Sequence, residues 1–262
     1  MTRVLSAIVL LAIVIGILWF LPPVATLILA ALAAALAFVE YARLAEASGA
    51  RIPRAVSGAV VIASCLAAGR ATVPLEIVLL SAIVVVGALA VAAGNPGAGV
   101  LRDVAAALLP AIYIGLPLGA LAAIRLIGGR EAILLLLVTM VISDSAQYYT
   151  GRALGRRPLA PAISPKKTVE GALGGLVFGA AAMTLGGLRV FPSAAPATLV
   201  LASAAVVSLG IVGDLFESLL KRSAGVKDAS GLIPGHGGML DRIDSWLFAA
   251  PVYYVFTRYL QI

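Results

Sequence analysis

Long apolar stretches separated by short polar segments run through the whole chain. Nine of them approach the ~20 apolar residues that a helix needs to cross a bilayer. They lie at 4–21, 23–41, 54–69, 73–93, 103–124, 131–150, 169–188, 196–220 and 243–260. The pattern predicts an all-α fold, a polytopic membrane protein with about nine transmembrane helices.

Composition supports this prediction. The chain is 62% hydrophobic and 12% charged, with a mean hydropathy of +1.10, which excludes an ordinary soluble domain. The first stretch is interpreted as an uncleaved helix, because Leu21-Pro22-Pro23 leads directly into the second. We expect one integral membrane domain over 1–262, with helices of 1–130 as scaffold and 131–262 carrying the catalytic helices and loops.

Basic residues are distributed unevenly between the two sides of this predicted topology. With nine spans, the loops after the second, fourth, sixth and eighth stretches hold thirteen Lys and Arg residues, and the other side holds six. Loops rich in Lys and Arg stay in the cytoplasm. We therefore expect the polar loops on the cytoplasmic face and both termini outside.

The first charged segment follows the sixth stretch. Pro161 and Pro165 are incompatible with a helix interior, and Thr168 is a good N-cap for the next helix. Lys166 and Lys167 would then lie beside a helix N-terminus, which favours phosphate. A loop that only fixes topology is the alternative, but Ser-Pro-Lys-Lys-Thr before a helix favours phosphate binding.

The second charged segment runs from Gly213 to Asp244, across the ends of the last two stretches, and holds five of the twelve acidic residues. Asp214, Glu217 and Lys221 share one helix face. Glu217 and Lys221 could form only a structural ion pair, and this alternative stays open. Asp241 and Asp244 begin the last helix, where carboxylates also complement the helix dipole. Three aspartates at two helix ends nevertheless favour a magnesium site with room for substrate phosphates.

A glycine-rich loop, Pro234-Gly235-His236-Gly237-Gly238, precedes these last aspartates. Glycines let a backbone approach a ligand closely. A lone histidine in a loop is often only a hydrogen-bonding residue. Between these glycines, ligand contact is the favoured interpretation for His236, without a role as general base.

Together these residues resemble the signature of the phosphatidate cytidylyltransferases, also called CDP-diacylglycerol synthases. The matching positions are Ser218-Leu219-Leu220-Lys221-Arg222, Lys227-Asp228, His236-Gly237-Gly238, Asp241-Arg242 and Asp244. Asp144 with Gly151-Arg152, and Ser164 to Gly171, are similar to further motifs of the family. The resemblance covers Asp144 to Ser245, and the N-terminal half matches only in hydropathy.

The resemblance implies an enzyme that condenses CTP with phosphatidic acid to CDP-diacylglycerol and pyrophosphate. It also implies magnesium dependence, with one or two ions, and a homodimer in the bilayer of a bacterial inner or plasma membrane. No nucleic-acid partner is expected. A polyprenol kinase, a cytidylyltransferase of ether lipids and a transporter are the alternatives. Bunching of the polar residues at one membrane face argues against transport.

Each candidate residue receives an expected role. The metal ligands are Asp214, Asp241 and Asp244, with Asp144 supporting that site or binding a second cation. The catalytic group comprises Asp214, Asp241, Asp244, Lys221 and Arg222. The substrate-binding group comprises Ser164, Lys166, Lys167, Thr168, Glu170, Glu217, Lys227, Asp228, His236, Gly237, Gly238 and Arg242.

Overall fold

The computed structural model describes residues 2–70, 73–232 and 237–260. Its helices are α1 (Thr2–Phe20), α2 (Pro23–Ala47), α3 (Arg54–Arg70), α4 (Leu75–Ala93), α5 (Val100–Pro110), α6 (Leu116–Ile127), α7 (Gly129–Leu154), α8 (Val169–Val190), α9 (Pro196–Ser223) and α10 (Leu240–Leu260). A π-helical turn, Ala111–Gly115, joins α5 to α6. Helices therefore form at all nine predicted stretches.

Six helical segments of the described chain are long and apolar enough to cross a membrane. They are α2, α4, the continuous run from α5 to α6, α7, α8 and α9. This confirms a helical integral membrane protein. The helices α1, α3 and α10 coincide with predicted stretches but are not among these six, so nine spans remains a prediction.

Pro110 explains the irregular turn between α5 and α6. Proline has no backbone N–H and removes one bond from the helical ladder. The helix does not break here, but continues through a π-helical turn over Ala111–Gly115. Val100–Ile127 therefore continues as one segment of 28 residues.

The described chain forms two compact units. The first comprises Met1–Ala123 with Leu220–Ile243, and the second comprises Ile124–Leu219 with Asp244–Ile262. In the first unit, Val61 and Ile114 are fully buried, and in the second Leu136 is fully buried. The charged residues of 220–243 therefore fold with the N-terminal helices. The expected division of labour between 1–130 and 131–262 stays a prediction.

In the second unit, helices α7 and α8 pack closely along a stripe of glycines. A Cβ at Gly171 would lie 2.8 Å from the Gln147 carbonyl oxygen, and one at Gly179 would lie 2.9 Å from Ser143 Cβ. Small residues on one helix face allow two backbones to approach inside a membrane. The stripe therefore holds α8 against the segment of α7 that carries the polar side chains.

A small hairpin connects α7 to α8. Strand β1 (Pro158–Ala160) pairs antiparallel with β2 (Ser164–Thr168), with an irregularity in register between them. The sequence predicted only a loop here, and the hairpin is an addition to the expected all-α fold. The predicted N-cap is confirmed, because Gly171 N–H donates to Thr168 Oγ1 at 3.1 Å.

Candidate functional site

The carboxylate cluster, defined as Asp144, Asp214, Asp244 and Lys167, lies in the second unit. Gly213 allows Asp214 and Asp244 to lie near each other. A Cβ at Gly213 would lie 2.7 Å from the Asp244 carbonyl oxygen and 3.1 Å from Phe248 Cβ. Because glycine has no side chain, α9 and α10 approach each other where each carries an aspartate.

Electrostatic interactions connect the members of the carboxylate cluster. Asp214 and Asp144 both repel the Asp244 carboxylate, whereas Lys167 attracts it. The Lys167 ammonium forms an ion pair with Asp214 Oδ2. Among these four side chains negative charge therefore exceeds positive charge, which favours an additional cation.

Hydrogen bonds orient two of these carboxylates. Ser245 N–H donates to Asp244 Oδ1 at 2.7 Å. Gln147 Nε2 donates to Asp144 Oδ1 at 3.1 Å. Both aspartates therefore have partners of their own chain that restrict the directions of their oxygens.

The oxygen donors and the charge of the carboxylate cluster fit magnesium, a hard cation that prefers carboxylates and keeps part of its water shell. Across the part of the chain that the structure describes, however, no three His, Cys, Asp or Glu side chains are grouped as a ready metal site. Oxygen donors suited to magnesium are thus present, but the described residues do not form a ready-made metal site. The expectation that Asp214, Asp241 and Asp244 hold a metal together stays a prediction.

The hairpin places the predicted phosphate-binding residues in different surroundings. Lys166 is exposed, whereas Lys167 is half-buried and paired with Asp214. Thr168 caps α8. The Glu170 carboxylate accepts hydrogen bonds from the backbone N–H groups of Arg156 and Arg157, at 3.0 and 3.2 Å. Glu170 therefore fixes the entry to the hairpin, in addition to any contact with substrate.

The glycine-loop cluster is defined as Lys221, Ala229, Gly237, Gly238 and Asp241. It lies in the first unit, and its members surround the Asp241 carboxylate. Lys221 Nζ donates to Asp241 Oδ1 at 2.5 Å, and the N–H groups of Gly238 and Ala229 donate to Oδ2 at 2.7 and 3.0 Å. Gly237 has φ +80°, and a Cβ there would lie 2.7 Å from Asp241 Oδ2. Asp241 and the two described glycines therefore lie close together.

The surroundings of Asp241 also set its protonation. Burial raises the pKa of its carboxyl group, but the hydrogen bonds from Lys221 and the Gly238 N–H, the Lys221 charge, and the Ala229 N–H together lower it below its ordinary value. Asp241 is therefore held as an anion. Its nearest cation in this arrangement is Lys221.

Glu40, on α2, is a polar residue that the sequence analysis missed. Its side chain is buried and accepts three hydrogen bonds, from Ser230 Oγ at 2.5 Å, Met239 N at 2.9 Å and Leu240 N at 2.7 Å. One signal was available, because an acidic residue at the end of an apolar stretch is costly unless it has partners.

The remaining predicted residues are placed as follows. Glu217 is fully buried in the second unit. Arg222, Lys227, Asp228 and Arg242 are exposed in the first, and Arg222 donates to the Val226 carbonyl oxygen at 3.2 Å. His236, with Pro234 and Gly235, lies outside the described residues.

Comparison with known proteins gives a consistent result. The model of the cytidylyltransferase family matches residues 1–260. A phosphatidate cytidylyltransferase of Helicobacter pylori is 35% identical over 189 residues, which is 72% of this chain and 67% of the relative. One of Bacillus subtilis is 41% identical over 148 residues, covering 56% of this chain and 55% of the relative.

A third relative is the uncharacterised protein YnbB of Escherichia coli K12. It is 42% identical over 135 residues, which is 50% of this chain and 44% of the relative. The chain spans about half the length of most curated relatives it matches, for example 44%, 58% and 46%.

Proposed function

Since the chain belongs to the cytidylyltransferase family, we propose that it transfers the cytidylyl group of CTP to phosphatidic acid. The products are CDP-diacylglycerol and pyrophosphate. The observation that carries the proposal is the similarity over 72% of the chain to a relative named phosphatidate cytidylyltransferase. The carboxylate cluster supports it, because it combines oxygen donors and a lysine in one place.

The proposed reaction is one in-line displacement. A phosphate oxygen of phosphatidic acid forms a bond to the α-phosphorus of CTP, and the bond from that phosphorus to the oxygen bridging to the β-phosphorus breaks. Pyrophosphate leaves with the electron pair. A phosphate monoester has a second pKa of ~6, so the attacking oxygen is already largely anionic at neutral pH. The protein therefore needs no strong general base.

What the protein must supply is positioning and neutralisation of charge. We assign phosphate contacts to Lys166 and Lys167, which the hairpin presents immediately before α8. Lys221, Arg222 and Arg242 are proposed for the same role. Asp214, Asp244 and Asp144 would hold one or two magnesium ions, whose charge would offset that of the phosphates. For Asp241 the role of a metal ligand stays a prediction from the sequence.

The setting of the proposed reaction follows from the membrane-spanning helices. The lipid substrate resides in the same bilayer as the protein, and CTP is a cytoplasmic solute. We therefore propose an inner-membrane or plasma-membrane enzyme with its charged loops in the cytoplasm, where the excess of basic residues is predicted to lie. A homodimer is part of the proposal.

The decisive experiment follows labelled nucleotide into lipid. Purified protein in detergent receives phosphatidic acid, magnesium and CTP labelled at the α-phosphorus. We expect label in the lipid, an equal amount of pyrophosphate, and loss of both on chelation. Label from the γ-phosphorus alone would identify a kinase. Transfer only to an ether lipid would retain the reaction and change the substrate.

A further inference from the structure

Glu40 connects the N-terminal helices to Met239 and Leu240 at the start of α10, although the two are about 200 residues apart in the chain. Ala37, Glu40 and Leu44 are buried on one face of α2, spaced i, i+3 and i+7. This face turns the carboxylate toward the interior of the first unit. The residue is 2% exposed, and an acid at such a position needs strong hydrogen-bond partners.

The partners of Glu40 are three donors around the start of α10. Oε1 accepts from Ser230 Oγ and from Met239 N, and Oε2 accepts from Leu240 N. The N–H groups at a helix start have no partner within the helix. A carboxylate from α2 therefore caps α10, and both of its oxygens are used.

A second carboxylate continues this arrangement by one residue. Asp241 Oδ2 accepts from Gly238 N, so the three successive N–H groups of 238–240 all donate to carboxylates. Asp241 holds Gly238 from within its own segment, whereas Glu40 holds Met239 and Leu240 from outside it. Gly238 fits between them only because it has no side chain, since a Cβ would lie 2.5 Å from Glu40 Oε2.

We propose that Glu40 is a positioning residue that fixes Gly238 to Leu240 and the first turn of α10 in the conformation needed to bind CTP. The proposal rests on the proposed function only for the identity of the nucleotide. Glycines such as Gly237 and Gly238 have little conformational preference of their own, so contacts such as those of Glu40 with Met239 and Leu240 restrict the backbone here. The N-terminal helices then contribute to the reaction and are more than membrane scaffold.

Glu40→Gln is the most informative substitution, because it changes volume little. One carboxylate oxygen becomes an NH2 group, which cannot accept the hydrogen bond of Leu240 N, or those of Met239 N and Ser230 Oγ. Glu46→Gln is the matched control. Glu46 lies on the same helix, is partly exposed and pairs with Arg54 rather than with the loop.

The first readout is hydrogen exchange of peptides covering 229–241 in the purified full-length protein. Loss of a hydrogen bond to a charged acceptor should raise the equilibrium constant for local opening by about tenfold or more. We expect exchange at 239–240 to accelerate by about tenfold in E40Q and to stay unchanged in E46Q. Unchanged exchange in E40Q would overturn the proposal, whatever reaction the protein catalyses.

The second readout is the kinetics of cytidylyl transfer. We expect the KM for CTP to rise about tenfold in E40Q, with the KM for phosphatidic acid within about twofold of the parent protein. Glu40→Asp keeps both acceptor oxygens and should restore part of the affinity. Normal kinetics in E40Q despite faster exchange would overturn the role in CTP binding. If E40Q does not fold, Ser230→Ala, which removes one donor, gives the same comparison in milder form.

These two readouts separate the inference from the proposed function. An absence of cytidylyl transfer in the parent protein would remove the proposed function, and the exchange data would still decide whether Glu40 orders the loop. Transfer that is normal in every Glu40 variant, with unchanged exchange, would remove the inference and leave the proposed function intact.

Discussion

Lys167, in the hairpin before α8, forms an ion pair with Asp214, in α9. The two residues come from the two charged segments of the sequence, and the pair brings those segments together within the second unit. Asp144 and Asp214 both act on the Asp244 carboxylate there, as does Lys167. The pair is therefore the point at which the proposed phosphate-binding and carboxylate groups meet.

Substitution of Asp214 by Asn should abolish the proposed cytidylyl transfer. The change removes one negative charge from the carboxylate cluster and leaves the Lys167 ammonium without its carboxylate. We expect kcat/KM to fall by about 100-fold or more, as measured by transfer of α-label from CTP to lipid. Glu76→Gln is the control, because Glu76 is exposed at the start of α4 and belongs to neither cluster. Near-normal transfer by the Asp214 variant would disprove its role.

The neighbouring lysines Lys166 and Lys167 should respond differently to removal of their charge. Lys167→Met removes a half-buried ammonium that interacts with the Asp214 and Asp244 carboxylates, whereas Lys166→Met removes an exposed one. We expect the loss of kcat/KM to be at least about tenfold larger for Lys167→Met, because exposed charges interact weakly through water. Initial rates at several CTP concentrations measure the difference. Equal losses would show that the pairing with Asp214 is irrelevant to transfer.

The sequence predicted the helices well because apolar stretches of membrane length have one main structural solution. It also predicted the Thr168 cap, since a cap depends on residues within a few positions. The hairpin was missed, because Pro158, Pro161 and Pro165 remove backbone donors and suggest a loop. Glu40 was missed for a different reason: its partners lie near residue 239, and a single sequence carries no signal for that distance.

The Lys221–Asp241 pair should make folding stability depend on pH in the acid range. The pKa of Asp241 is lowered in the folded state, so its contribution to stability is present at neutral pH. That contribution is lost as pH falls below the ordinary aspartate value and through the lowered one. In Asp241→Asn this part of the pH dependence should disappear. Thermal unfolding in detergent between pH 7 and the acid limit of solubility measures it.

Asp241→Asn should also be less stable at neutral pH. Removing one member of a largely buried pair deprives the Lys221 ammonium of the Asp241 carboxylate, at a cost of about 3 kcal/mol or more. The two side chains are only 12% and 6% exposed, so solvent screens the pair little. Transfer should be lost as well, with the variant still inserted in the membrane. If the melting temperatures of the variant and of the parent protein change with pH in the same way, this account of the pair is wrong.

Gly238→Ala tests how tightly Gly238 is held against the Glu40 carboxylate. The new Cβ would lie 2.5–2.7 Å from the carboxylate atoms of Glu40, and that side chain is buried and held by three donors, so it cannot yield easily. Overpacking of this kind costs about 1–3 kcal/mol. We expect a lower melting temperature and a raised KM for CTP. Gly231→Ala is the control, because among the described residues none would lie within 4 Å of a Cβ at Gly231. If both variants behave like the parent protein, Glu40 and the loop are not in rigid contact. If only Gly238→Ala lowers the melting temperature and the affinity for CTP, the Glu40 carboxylate of α2 is in rigid contact with Gly238.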